Sequence, residues 1–126
     1  MRIAIHRVYD SSPTMAGKRV LVDRVWPRGI RKENLHLDLW MRDVAPSTAL
    51  RKWFGHNPQR WDEFQRRYRA ELRQPAQRAQ LDELVAMARN SPVTLLYGAR
   101  DEEHNQALAL SRVLEESLKR IGDRRA

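Results

Sequence analysis

Residues Lys18 to Trp26 read Lys-Arg-Val-Leu-Val-Asp-Arg-Val-Trp, and an extended chain of that composition is apolar on both of its faces. Side chains alternate along a strand, so Val20, Val22, Arg24 and Trp26 share one face, and Leu21, Asp23 and Val25 share the other. An antiparallel sheet with one wet face would alternate cleanly. Burial on both sides belongs to a sheet covered by helices. Val93-Thr94-Leu95-Leu96-Tyr97 is another such run, and Ile3, Ile5 and Val8 suggest a strand near residues 2–8.

Helical spacing accounts for most of what lies between. Tyr9 through Gly17, with its Asp, Ser, Pro and Gly, reads as a loop, and Pro27-Arg28-Gly29 ends the second strand. Residues 30–46 have mixed periodicity, with a short helix ending near Val44 as one option. Ser47 or Thr48 is placed to cap a short helix through Phe54, with Gly55 as its stop. Asn57-Pro58 marks a helix start, after which Trp61, Phe64, Tyr68 and Leu72 form one apolar stripe, with Arg66, Arg69 and Arg73 away from it. Pro75 opens a further helix with Leu81, Leu84, Val85 and Ala88 facing inward, broken by Ser91-Pro92. Asp101 is expected to cap the last helix, whose buried side carries Ala107, Leu110, Leu114, Leu118 and Ile121. The expectation is an α/β fold: a small, mostly parallel sheet of about three strands packed by roughly four to six helices. It would be a single domain over residues 1–121, with 122–126 as a basic frayed tail.

Composition removes several chemistries. The 126 residues include no cysteine, which excludes disulfides, thiolate nucleophiles and cysteine metal sites. No pair among His6, His36, His56 and His104 has the i, i+4 spacing of a helical zinc site, so no metal is expected. There is no Gly-rich phosphate loop, dinucleotide fingerprint or Gly-x-Ser-x-Gly elbow, and no cofactor is expected. No apolar run approaches the ~20 residues that span a bilayer, and Met1-Arg2-Ile3-Ala4-Ile5-His6 is too interrupted for a signal peptide. A cytoplasmic protein with no membrane partner is the default. With 24 Lys and Arg against 16 Asp and Glu, the net charge of +8 attracts anions: nucleic acid, nucleotides or acidic metabolites.

Two constellations could carry chemistry. In the first, Asp23 and Arg24 lie side by side in an apolar strand and point to opposite faces, so each needs its own partner. Arg24 and Arg28 could present guanidinium forks to an anion, or the pair could simply tie neighbouring loops together. In the second, Tyr97 to Asn105 runs from a strand through a Gly loop to a helix start, where free N–H groups favour an anion and Arg100 adds charge. His104 in the first helical turn would be kept neutral by the helix dipole and could act as a base, although Asp101, Glu102 and Glu103 oppose both effects. Arg51-Lys52-Trp53-Phe54-Gly55-His56 mixes cations with aromatics, which also fits a packed Trp53 and Phe54 under solvated cations.

Taken in order, Arg7-Val8-Tyr9-Asp10, the string Leu21 to Gly29, Ala45 to Phe54, and Thr94 to Asp101 resemble the YeaO-like bacterial family, a domain of unknown function. The resemblance covers residues 2 to about 115 and implies a compact α/β domain with no established activity. In longer relatives of that family a Cys-His-Arg triplet opens the last helix. Glu103-His104-Asn105 stands in its place here, so His104 is kept and the thiol is not. The strand-end acid and arginine also resemble those of sulfurtransferases, which need a cysteine.

The functional expectation is an anion-binding pocket, for phosphate or carboxylate, at the C-terminal edge of the strands. Asp23 and His104 would supply acid–base chemistry, and Tyr9, Asp10, Arg24, Arg28, Arg100 and Asn105 would bind the ligand. An enzyme acting on a small molecule or nucleotide is one form of this reading. The alternative is a non-catalytic nucleic-acid-binding protein. Oligomeric state is not legible.

Overall fold

Four parallel strands form one sheet in the order β1-β4-β2-β3: β1 (Ile3–Arg7), β2 (Lys18–Leu21), β3 (Leu39–Trp40) and β4 (Val93–Tyr97). The computed structural model describes residues 3–10 and 17–125. Arg2, most of the loop expected over 9–17, and Ala126 of the expected tail lie outside the described residues. Central β4 is buried at all five positions, as its unbroken apolar run requires.

The sheet sorts its residues by parity. Ile3, Val20, Val22, Val93, Leu95 and Tyr97 face the main core, where they meet α1 (Thr48–Phe54), α2 (Trp61–Glu71), α3 (Pro75–Asn90) and α4 (Gln106–Arg125). Leu21 and Leu96 face the other way and pack with Leu35, Trp26, Ile30, Leu37 and Trp40. Both faces are covered, as the double-sided apolar pattern demands. The second cover, however, is the irregular segment 26–40, which contains only a 3-10 turn over Lys32–Asn34 and β3. Residues 30–46 thus supply a fourth strand where a short helix was an option. The strand count rises by one and the class stands.

Helix boundaries follow local chemistry. The Ser47 Oγ accepts from the Leu50 N–H at 3.1 Å, and Gly55 ends α1 in the left-handed region at φ 52°. Asn57 Oδ1 accepts from the Gln59 N–H at 3.0 Å, and Pro58 opens a 3-10 turn that runs into α2. Trp61, Phe64, Tyr68 and Leu72 are all buried, and the Tyr68 hydroxyl donates to the Val44 carbonyl.

Two expectations need correction. First, β2 stops at Leu21 instead of Trp26. Val22 still donates to the Leu96 carbonyl at 3.1 Å, but beyond it the chain turns out of the sheet and Val25 is 61% exposed. Second, α4 is capped by Asn105, whose Oδ1 accepts from the Leu108 N–H at 2.8 Å. Asp101 caps the preceding turn, accepting from the N–H groups of Glu103 and His104 at 2.9 and 3.0 Å. His104 therefore precedes the helix. The helix itself continues through Arg125.

Candidate functional site

Because all four strands are parallel, the segments following Arg7, Leu21 and Tyr97 leave the sheet at the same edge. There they enclose a cavity of about 390 Å³ together with α1 and the start of α4. Tyr9, Asp23, Arg24, His104 and Asn105 line it, so five of the eight expected site residues are brought together.

Asp23 is the hub. Its Oδ2 accepts from the Gly98 N–H at 2.9 Å and its Oδ1 from the Gln106 side-chain amide. Gly98 is needed for this approach, since a Cβ there would lie 3.0 Å from the carboxylate oxygen and 3.7 Å from both Pro27 and Tyr9. Burial pushes the Asp23 carboxyl up to about 6. The Gly98 N–H, the Gln106 amide and the nearby Arg51 charge all pull it back and only partly succeed.

Arg24 points its guanidinium across the gap to the segment leading into α1. Nε donates to the Pro46 carbonyl and Nη2 to the Ala45 carbonyl, both at 3.0 Å. Those two residues are buried, so Arg24 both fixes the wall and holds its charge in place. Arg24→Ala leaves two carbonyls without these donors and is expected to cost about 1–3 kcal/mol in urea unfolding, with Arg24→Lys recovering only part of it.

Sequence reasoning gave less weight to the other cations of this wall. Arg51 and Lys52 project from α1 into the cavity lining, and His56 follows in a left-handed conformation at φ 58°. His56 is the one non-glycine residue at positive φ among the described residues, directly after Gly55, and such strain gathers at ligand sites. Among the described residues neither Arg24, Arg51 nor Lys52 is in an ion pair. The available signal was the Arg51-Lys52-x-x-x-His56 run itself. Which side of a short helix faces a loop edge is set by docking.

His104 borders the opposite wall. Its Nδ1 lies 2.9 Å from Asp101 Oδ2, and its ring meets Trp61 edge-on at 5.4 Å. Burial works against the Asp101 charge, but the N–H groups of Glu103 and His104 and the His104 ring outweigh it and hold this carboxyl below its usual range. Asn105 is buried and occupied as the α4 cap, with its amide donating to the Asp101 carbonyl at 2.9 Å.

Three expected residues lie outside the cavity lining. Arg28 is exposed, and what it contributes is its carbonyl, which accepts the Tyr9 hydroxyl at 2.7 Å. Arg100 is exposed as well. Asp10 is exposed beside Arg7 at 3.3 Å, while Arg7 donates to the Ala99 carbonyl and stacks over Tyr9, bracing the rim. Asp10 and Arg100 lie three residues beyond β1 and β4, and Arg28 lies seven beyond the early end of β2. Side-chain direction was not readable.

The arginine face of α2 is partly balanced by carboxylates. Glu63 pairs with Arg66 and Arg67, and Glu116 accepts from both Nη atoms of Arg69 at 2.7 and 3.1 Å.

A family model described as the inactive DUF488-N3 subclade matches residues 2–126. The uncharacterized protein YeaO of Escherichia coli is 43% identical over 111 residues, covering 88% of this chain and 95% of its own length. The uncharacterized protein Rv3073c of Mycobacterium tuberculosis is 42% identical over 113 residues, covering 90% and 93% respectively. No solved structure matches the chain.

Proposed function

Because the chain belongs to the YeaO-like family of unknown function, in the subclade described as inactive DUF488-N3, we propose that its cavity binds a small anionic molecule and does not transform it. One observation carries this reading: Arg24, Arg51 and Lys52 line a cavity of about 390 Å³ and, among the described residues, none of them is in an ion pair and Asp23 is the one carboxylate of the lining. A phosphate or carboxylate group placed there meets three cations against the single Asp23 carboxylate, with the Arg51 fork and the Lys52 ammonium free of hydrogen bonds within the described residues.

The two groups expected to act as acid and base are better suited to positioning. Both Asp23 oxygens accept from the protein, and His104 Nδ1 faces Asp101. Tyr9, Phe54 and Phe64 add aromatic surface beside the charges, a lining suited to an anion with an apolar body.

A thermal-shift screen with phosphates, nucleotides and organic acids tests the reading. A ligand present at 100 times its Kd is expected to stabilise the fold by about 2.7 kcal/mol. The Arg51→Ala, Lys52→Ala double variant should lose the response while its ligand-free melting point stays close to that of the parent, since both side chains are exposed. A screen without a hit, or a response that survives in the double variant, overturns the proposal. The nucleic-acid alternative predicts instead DNA or RNA binding that weakens steeply with salt, and the pairing of Arg66, Arg67 and Arg69 with carboxylates leaves it less free charge to use.

A further inference from the structure

A second cavity, of about 240 Å³, lies on the sheet face turned away from the helices. Strand register builds it. His6, Leu96 and Leu21 sit side by side across β1, β4 and β2, and Arg19 lies two residues back along β2 on the same face. Buried Leu96 and Leu35 form its floor, His6 is half-buried in its wall, and exposed His36 and Asn34 stand at its rim.

Arg19 marks this cavity as more than a packing gap. Among the described residues its Nε is the one buried side-chain nitrogen or oxygen with no hydrogen-bond partner, and Arg19 forms no ion pair. Buried polar groups are nearly always satisfied, and a guanidinium N–H needs an acceptor. Neither neighbouring carboxylate meets the guanidinium: Asp38 accepts from the Arg19 backbone N–H at 2.9 Å, and Asp10 pairs with Arg7. The Asp10 carbonyl faces His6 Nε2 at 3.1 Å.

We infer that this cavity is a second oxyanion site, taking a phosphate group, free or at the end of a monoester, on Arg19 with His36 and Asn34 closing over it. It is separate from the cavity at the strand edge and does not rest on that assignment. The four histidines divide evenly between the two, with His56 and His104 lining the first and His6 and His36 the second.

That division supplies the test. Histidine ring signals of the full chain are followed by NMR during titration with inorganic phosphate at about pH 7 and constant ionic strength. The His6 and His36 rings are expected to shift along a saturating curve with a Kd of about 1 mM or tighter. Arg19→Gln should weaken that curve about tenfold or more, because a charge-assisted donor is lost. Any response at His56 and His104 should persist. His36→Ala, at an exposed position, gives a second variant should Arg19→Gln fail to fold, and it too should weaken binding. Glycerol phosphate in a parallel titration binds more tightly than phosphate if the natural group is a monoester and more weakly if it is the free ion. Flat His6 and His36 signals, or a curve unchanged in both variants, overturn the inference.

Discussion

Asp23→Asn should make the protein more stable at neutral pH, by about 3 kcal/mol. The carboxyl rises from 3.8 to about 6 on folding, and at 1.36 kcal/mol per pH unit that gap is the cost of keeping it ionised in place. The sign follows from proton count. Between those two values the folded chain holds the proton more tightly than the unfolded chain, so this group's contribution is fully present below about 4 and lost as pH climbs through about 6. Asparagine escapes the loss. Its Oδ1 keeps the Gly98 N–H, and a turned Gln106 amide accepts from its Nδ2. Urea unfolding of parent and variant at several pH values between about 4 and 7 measures the difference, which should open across that interval and then level off. A variant no more stable than its parent at pH 7 would show that Asp23 carries no such penalty. A carboxylate kept at this expense between a Gly turn and a helix start supports the proposed binding site.

Phe64→Ala should be the most damaging single truncation. Phe64 is 2% exposed and lies 4.5 Å from the Phe54 ring, 5.7 Å from Trp61 and 5.8 Å from Tyr68, between α1 and α2. Deleting it removes the hub of this aromatic stack and enlarges the strand-edge cavity it lines. The expected cost is about 3–5 kcal/mol, a large part of the ~5–15 kcal/mol that holds such domains together. The melting point should fall by more than about ten degrees. Val25→Ala, at the exposed end of the same cavity, should change stability by less than about 0.5 kcal/mol. Equal effects from the two would mean that the stack is not the anchor of the helical layer.

What could be read from the residues was what depends on near neighbours. Val93 to Tyr97, the Ser47 and Gly55 caps, the Asn57-Pro58 start and the Trp61-Phe64-Tyr68-Leu72 stripe each act within a turn or two. β3 could not be read this way: two residues have no pattern, and Leu39 and Trp40 are a strand only because Val20 and Leu21 stand beside them. The early end of β2 has a distant cause as well, since Asp23 leaves the sheet to meet Gly98, seventy-five positions on. Asp101 and Asn105 both have cap chemistry, each accepting from an N–H three residues ahead, and only docking decides which one begins α4. For the cavity, strand-end position identified Asp23, Arg24 and His104. Long cations such as Arg28, Arg100, Arg51 and Lys52 carry no local signal of where their tips go.

The strand order has a consequence for how the chain assembles. β1 has β4 as its one partner and β2 is joined to β1 only through it, so Ile3 waits for Val93 before it has a neighbour. Contacts across ninety positions must close before β1 joins the sheet, a long-range closure of the kind that slows folding. During synthesis β1 emerges without its partner and β2 with only the two-residue β3 beside it, so a nascent chain that ends before Tyr97 lacks the central strand that joins them.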